Sequence, residues 1–395
     1  MLSLTESSKA ALPDVDPVAQ QHSQAVSAKL REMLGASGGT LPFDKYMEHV
    51  LYAPGLGYYA AGATKLGASG DFLTAPETGK LFAECLADEV AGMLSVMPHA
   101  AIIEFGAGSG RLAETLICTL ARLGTLPSRY VIVELSPDLR ERQKQTLAAV
   151  ARETGVAIEW HATMPLEEVE AVVIANEVLD AFPATRFRVE KEGVRLASVR
   201  AEGESFAWDW SSPVIDEGRE FEIAQQFSLV EGYETEHNPR ASAWIRTLGD
   251  VLSRGVLLVI DYGYPEHEYF LPDRSAGTLR CHYRHHAHND PFILLGIQDM
   301  TCHVNFSEIA KAGRESGFEV LGYTSQEAYL LALGLLDKAA SLSVDDHRAQ
   351  LALASEVKRL VLPSQMGEAF KVLGLGKNWP VDLRGFAMRD RSHSL

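Results

Sequence analysis

Three glycines spaced G-x-G-x-G close an apolar run that carries one acid: Ala101-Ile102-Ile103-Glu104-Phe105-Gly106-Ala107-Gly108-Ser109-Gly110. The pattern predicts a buried strand, a bare turn and a helix from Arg111 onward. Such a turn lets a flat nucleoside-bearing ligand lie directly on main chain. Glycine is required because a Cβ would strike the ligand or forbid the turn. The following helix aims its free N–H groups and positive dipole end at the same place. A dinucleotide fingerprint needs a small residue at the next key position. Arg111 stands there, so that reading fails.

A second acid follows at the expected distance. Tyr130-Val131-Ile132-Val133-Glu134 reads as a strand ending in a carboxylate. Glu134 lies about 20 residues beyond the glycines, where it would accept both ribose hydroxyls. Ser136-Pro137 then offers an N-cap and a first-turn proline. With Glu104 two residues ahead of Gly106, the spacing resembles the S-adenosylmethionine loop of class I methyltransferases. The candidate cofactor wall is Glu104, Gly106, Ala107, Gly108, Gly110, Glu134 and Leu135. The alternatives are a glycine-rich turn of another doubly wound enzyme and a solvated strand-end acid at Glu134.

In open α/β sheets, ligands sit outside the carboxyl ends of the strands. The residues closing the strands are Glu104, Glu134, His161, Asn176-Glu177 and Asp261-Tyr262-Gly263. Asn176-Glu177-Val178-Leu179-Asp180-Ala181 is the most suggestive of these, with Asn176 a candidate for both cofactor and catalysis. Enzymes acting on planar amide or base nitrogens often carry Asn-Pro-Pro-Tyr at this point. Here the Asn is kept, and two carboxylates replace the rest. A helical turn would put Glu177 and Asp180 on one face. Two carboxylates suit a guanidinium, whose planar fork of donors they grip bidentately. Arginine stays charged, so rate would come from alignment and electrostatics as one nitrogen attacks an activated methyl in line. The plainer alternative makes Glu177 a helix cap and Asp180 a solvated acid.

Gly70-Asp71-Phe72-Leu73-Thr74-Ala75-Pro76-Glu77 precedes the glycine loop by one helix. Its mix of small, polar and apolar residues suits a lid over a cofactor. Thr74 could bond an amino-acid tail, and Asp71 or Glu77 its ammonium. A capped helix start explains the same residues. His282, His285, His286, His288 and His303 cluster late in the chain. Without paired cysteines or an H-E-x-x-H helix they are read as a polar loop lining the cleft, and no metal is expected.

Positioning these residues takes a large scaffold. The 395 residues suffice for two to three domain-sized units. A formal charge of -17 argues against a broad nucleic-acid footprint. No apolar run approaches the ~20 residues of a membrane span. Residues 1 to about 21 carry Glu6, Asp14 and Asp16 without an apolar core, and are read as a mobile lead-in rather than a signal or transit peptide. Cys85, Cys118, Cys281 and Cys302 form no C-x-x-C pair, which predicts free, mostly buried thiols and a cytoplasmic location.

Helices are predicted near residues 24–34, 42–51 and 78–97. Strands are predicted at 101–105, 130–134, 156–160, 171–175 and 256–260, with 318–323 as the last. Repeated βα units imply a parallel sheet. An insertion at about 181–240 opens with a hairpin, 185–189 against 194–199. Amphipathic helices are predicted at 326–340 and 347–362.

Several further runs sharpen the resemblance: Gly57-Tyr58-Tyr59, Ile260-Asp261-Tyr262-Gly263, Gly277-Thr278-Leu279-Arg280 and Gly296-Ile297-Gln298-Asp299-Met300-Thr301-Cys302-His303-Val304. Together with the segments above, the chain from about Leu41 to Arg384 resembles the MidA-like family, the mitochondrial complex I assembly methyltransferases and their bacterial relatives. That resemblance implies an α/β fold: a class I, Rossmann-like methyltransferase sheet of seven strands with the last antiparallel. An N-terminal cap (1–98), a core (99–325) and a C-terminal helical extension (326–395) are expected. It also implies S-adenosyl-L-methionine as cofactor, a protein arginine as acceptor (a respiratory-complex subunit among the candidates), and Asp71, Thr74 and Glu77 on the cofactor side. The alternatives are a cofactor-binding assembly chaperone with little turnover and a small-molecule N- or O-methyltransferase. The sequence leaves the oligomeric state open, a homodimer included.

Overall fold

Strand parity divides the apolar residues between two helical layers, which is what a parallel sheet covered on both faces requires. The computed structural model describes residues 12–61, 75–165, 167–342 and 346–395. The central sheet contains β1 (Ala101–Phe105), β2 (Tyr130–Val133), β3 (Ile158–His161), β4 (Val169–Asn176), β5 (Leu252–Tyr264), β6 (Glu319–Ser325) and β7 (Phe370–Lys377). Their order is β6-β7-β5-β4-β1-β2-β3. β1 to β5 pair in parallel, and β7 runs antiparallel between β5 and β6. Ile102, Ile132, Val172, Ile174 and Leu258 pack into one layer. Ile103, Val131, Val173, Leu257 and Val259 pack into the other.

The helices are α1 (Pro17–Ala36), α2 (Phe43–Tyr52), α3 (Leu81–Val96), α4 (Arg111–Arg122), α5 (Pro137–Thr154), α6 (Pro239–Val251) and α7 (Phe306–Glu315), with shorter ones between and after them. α3 and α4 cover the first face, and α6 and α7 the second. The chain leaves β1 for β2 and β3 on one side and returns to β4 and β5 on the other. That reversal between β1 and β4 is where a ligand crevice opens in such sheets.

The first helix starts earlier than its apolar period implied. Asp16 accepts from the N–H groups of Val18 and Ala19 at 3.1 and 2.9 Å, which caps α1 inside the segment read as a mobile lead-in. α1 and α2 pack on the insertion and on the late segment through Val26, Tyr46, Met47, Val199, Phe206 and Met300. The predicted hairpin is present, with Val189 opposite Val194. The histidine-rich stretch is not simply a loop: Arg280–Tyr283 pairs with His286–His288 and Asp299–Thr301. Its polar surface hid the buried Cys281 and Tyr283 that alternate beneath it. Cys118 lies exposed, whereas Cys85, Cys281 and Cys302 are buried.

The C-terminal segment also differs from expectation. The predicted helices occur as Gln326–Ala332, Leu335–Ser341 and His347–Val361. They are not followed by more helix alone. β7, at 370–377, completes the sheet, so the strand at Glu319–Ser325 is the sixth rather than the last. β7 pairs with β5 over eight registered positions, from Gly255 opposite Lys377 to Tyr262 opposite Phe370. A chain ended at residue 325 therefore loses the partner of β5. We expect it to give no cooperative thermal transition by circular dichroism; a sharp two-state melt would contradict this reading of the sheet.

Candidate functional site

The glycine turn adopts the conformation its spacing required. Gly106, Gly108 and Gly110 have φ of 62°, 55° and 85°, the left-handed region that a Cβ disfavours. A Cβ at Gly106 would also sit 3.4 Å from Val178 Cγ2. α5 holds the turn from outside, a role no sequence signal marked. Gln143, fully buried, donates to Gly108 O at 2.9 Å and to Glu134 Oε2 at 3.1 Å. Thr146 donates to Ser109 O at 3.0 Å.

A cavity of about 620 Å³ opens against this main chain. Gly106, Ala107, Gly108, Glu104, Glu134 and Leu135 line it, as do Asn176, Glu177 and Asp180. Gly110 does not: it is the N-cap of α4, and a Cβ there would lie 3.5 Å from Gln143 Cα. His161 is not brought into the lining either; it sits beside Glu159 at 3.3 Å. Leu135 is 59% exposed at the rim. Glu134 accepts from Ser136 N at 2.9 Å with its other oxygen. Each of its oxygens keeps a further lone pair for a ligand hydroxyl. Glu77 also lines the cavity, accepts from Ser109 Oγ and stands 3.6 Å from Arg111. Asp71 and Thr74 lie outside the described residues.

Glu104 is buried under the loop and accepts from Tyr130 Oη at 2.6 Å. Burial is the main cause that pushes its carboxyl up to about 7; Tyr130 opposes this and Glu134 adds to it.

The segment after β4 does not form the helical turn that would have put Glu177 and Asp180 on one face. Glu177 takes φ of 54°, which costs about 1–2 kcal/mol for a residue with a Cβ. Asp261, at the end of β5, holds the turn in place. Its Oδ2 accepts from the N–H groups of Val178, Leu179 and Asp180 at 3.2, 3.0 and 3.3 Å. Its Oδ1 accepts from Tyr262 N at 2.9 Å, and Glu177 N donates to Ile260 O at 2.9 Å. Glu177 and Asp180 consequently reach one cavity without sharing a helix face. Asn176 Nδ2 donates to Glu177 Oε1 at 3.3 Å.

Burial and mutual repulsion raise this acid cluster. Glu177 is pushed up to about 8 by desolvation first and Asp180 second. Asp180 is driven well above the ordinary carboxylate range by burial and by Asp261. Burial and Glu177 lift Asp261 to about 8, against its N–H donors, which favour the ionised form. Among the described residues no lysine or arginine pairs with Glu177, Asp180 or Asp261.

Sequence reasoning missed several lining residues. Arg240 of α6 reaches Asp44 and Glu48 of α2 at 3.1 and 2.9 Å. Trp244 meets Phe105 edge-on, ring centroids 4.9 Å apart. Tyr52, Tyr59 and Asp299 complete that wall. Two of these lay in quoted motifs, Tyr59 in Gly57-Tyr58-Tyr59 and Asp299 in the late run, but nothing local linked them to the acids. Among the described residues no group of three or more His, Cys, Asp or Glu could hold a metal.

Comparison with known proteins fits this geometry. A family model described as an S-adenosyl-L-methionine-dependent methyltransferase matches residues 83–324. The chain belongs to this methyltransferase family. A crystal structure of a COG1565 superfamily member from Burkholderia thailandensis, bound to S-adenosyl-homocysteine, superposes with a TM-score of 0.91. It is 41% identical and covers 98% of this chain and 100% of its own. The mouse protein arginine methyltransferase NDUFAF7, mitochondrial, is 26% identical over 398 residues, 89% of this chain and 85% of that one. The human protein of the same name is 26% identical over 380 residues, covering 86% and 80%. The methyltransferase uses S-adenosyl-L-methionine, and its cavity fits that group: bare backbone at two glycines beside a carboxylate with lone pairs to spare.

Two measurements test the site. Asp261→Asn presents one acceptor oxygen where the carboxylate presents two, so the 177–180 turn relaxes. We expect a roughly hundredfold loss of kcat, with S-adenosylhomocysteine affinity by calorimetry changed less than about threefold. The second concerns stability. Glu104 and Glu177 keep protons in the native state that the unfolded chain has released above about 4.5. Unfolding then releases protons, and stability falls as pH rises through these values. His237, raised to about 9 by Glu220 and Glu308 despite burial, acts with the same sign. His282 and His303, lowered to about 4 by burial, act oppositely only below 6.5. Ligand-free protein should lose Tm steadily from pH 6.5 to 8.5, and Glu177→Gln should flatten that slope.

Proposed function

We propose that this methyltransferase acts on an arginine side chain of a protein substrate. The observation that carries the reading is the pair Glu177 and Asp180, held by the buried Asp261 behind them, set in the same cavity as the bare glycine main chain and lacking a basic partner among the described residues. The similarity to the mouse and human mitochondrial protein arginine methyltransferases supports it.

When bound, S-adenosyl-L-methionine supplies a methyl group activated on a sulfonium. Gly106 and Gly108 would accept it against main chain, Glu134 would take its ribose hydroxyls, and Leu135 would cover it from the rim. Glu77 and Glu104 stand close to the same turn. A guanidinium entering beside Glu177 and Asp180 stabilises their ionised forms, so each gives up its proton to solvent as the cation arrives. The carboxylates then hold the positive charge on two nitrogens and fix the third in place. Arginine loses no proton at this stage. Asp261 takes no direct part; it keeps Glu177 at its left-handed φ. Buried free thiols at Cys85, Cys281 and Cys302 support a reducing compartment such as the cytoplasm.

Mass spectrometry of proteins from cells with the chain, without it, and with Glu177→Gln tests this. We expect a methyl-arginine mark lost in the absence of the chain and reduced on the order of 100-fold with Glu177→Gln. Changes confined to small metabolites would overturn the protein acceptor. Full rescue of the deletion phenotype by Glu177→Gln would favour the chaperone role over turnover.

A further inference from the structure

Part of the cavity wall is unlike the glycine turn, and the cofactor reading does not account for it. Tyr52, at the end of α2, and Tyr59, just beyond it, stack with ring centroids 5.4 Å apart and planes inclined by 22°. Tyr58 meets Tyr59 edge-on at 5.0 Å. Both outer hydroxyls are committed as donors: Tyr52 Oη to Ala181 O at 2.9 Å, and Tyr59 Oη to Asp299 Oδ1 at 2.8 Å. These bonds fix the rings beside the 177–181 turn and the Asp299–Thr301 strand. Asp299 Oδ1 also accepts from Met300 N at 2.8 Å, so the carboxylate is itself held.

The acids converge on this wall from separate elements. Asp299 raises both Glu177 and Asp180, and Asp180 and Asp299 both raise Tyr52 and Tyr59, so the five groups share one neighbourhood. Asp180 is 4% exposed, lines the cavity and has the Tyr262 hydroxyl beside it. A buried carboxyl without a basic partner is costly to ionise unless a cationic ligand meets it. At the rim, Arg240 is already engaged by Asp44 and Glu48.

Resting on the methyl-transfer reading, we infer that Tyr52, Tyr59 and Asp299 form, with Glu177 and Asp180, a selective pocket for the planar cation of the acceptor. Carboxylates from two chain segments meet the edges of the cation, and tyrosine rings offer an apolar wall to its face. A guanidinium fits both demands, being planar, forked and weakly hydrated. An ammonium is compact and strongly hydrated, and loses its water shell here without gaining a stacked face. A neutral planar urea has the shape but not the charge. Tyr52, Tyr59 and Asp299 are therefore specificity residues rather than part of the cofactor seat.

Calorimetry on the full chain saturated with S-adenosylhomocysteine tests this with three probes: Nα-acetyl-arginine methylamide, its lysine counterpart and its citrulline counterpart. We expect the arginine probe to bind at least about tenfold more tightly than either of the others. Tyr59→Leu and Asp299→Asn should each weaken the arginine probe about tenfold while leaving S-adenosylhomocysteine affinity within twofold. Tyr59→Phe keeps the ring and should retain most of the arginine affinity, which separates loss of the wall from loss of folding. Equal binding of arginine and citrulline probes would overturn the proposal, as would no probe binding at all. A parallel loss of S-adenosylhomocysteine affinity in Tyr59→Leu would assign the rings to the cofactor and also overturn it. In each of these cases retained S-adenosylhomocysteine binding by the unaltered chain leaves the methyl-transfer reading standing; its failure there would sink that reading instead.

Discussion

One carboxylate decides where the chemistry can happen. Asp261 sits at the end of β5, wholly buried, and spends one oxygen on three consecutive N–H groups of the chain leaving β4. Two neighbouring strands of a parallel sheet are thereby tied at their carboxyl ends by a side chain rather than by the ladder. The tie makes a left-handed glutamate tolerable and turns Glu177 and Asp180 toward the cavity. It also places a third acid behind them, and this proximity is what lifts the cluster out of the ordinary carboxylate range. Geometry and electrostatics of the site have the same origin.

The cavity itself is assembled from far-separated parts of the chain. The sheet contributes backbone and acids, α5 braces the glycine turn through Gln143, and the N-terminal helices add aromatic side chains. Each contribution is anchored by a hydrogen bond to another part: Tyr52 to Ala181, Tyr59 to Asp299, Gln143 to Gly108. Motion of the cap relative to the sheet would therefore be felt at the acids. The buried pair of Arg186 with Glu236, which also accepts from Thr278 N at 2.7 Å, ties the insertion to the late segment in the same way. It gives Gly277-Thr278-Leu279-Arg280 a structural purpose.

The parts visible in the sequence are those with local causes. The glycine turn, Glu134 and the Ser136-Pro137 helix start announce themselves because neighbours in the chain determine them. The shape of the Asn176–Ala181 segment could not be read in this way. Its spacing allows a helical turn, and the turn it takes instead is set by an acceptor some eighty residues on, Asp261. β7 was hidden for a related reason. Gly374 and Gly376 look like breakers, but a Cβ there would stand 2.8 Å from atoms of Phe386 and of Leu321, so close tertiary packing selects them. Of the tyrosine wall only the run Gly57-Tyr58-Tyr59 stood out, since its partners, Ala181 and Asp299, lie more than a hundred residues away.

The late arrival of β7 also bears on how the protein is made. β5 is translated roughly one hundred residues before the strand that pairs with it, an interval on the order of 5–20 s at typical elongation rates. Throughout that time a long apolar strand has one open edge on a nascent chain, the kind of surface that recruits foreign strands. Newborn chains should accordingly depend on protection at the ribosome until the sheet closes.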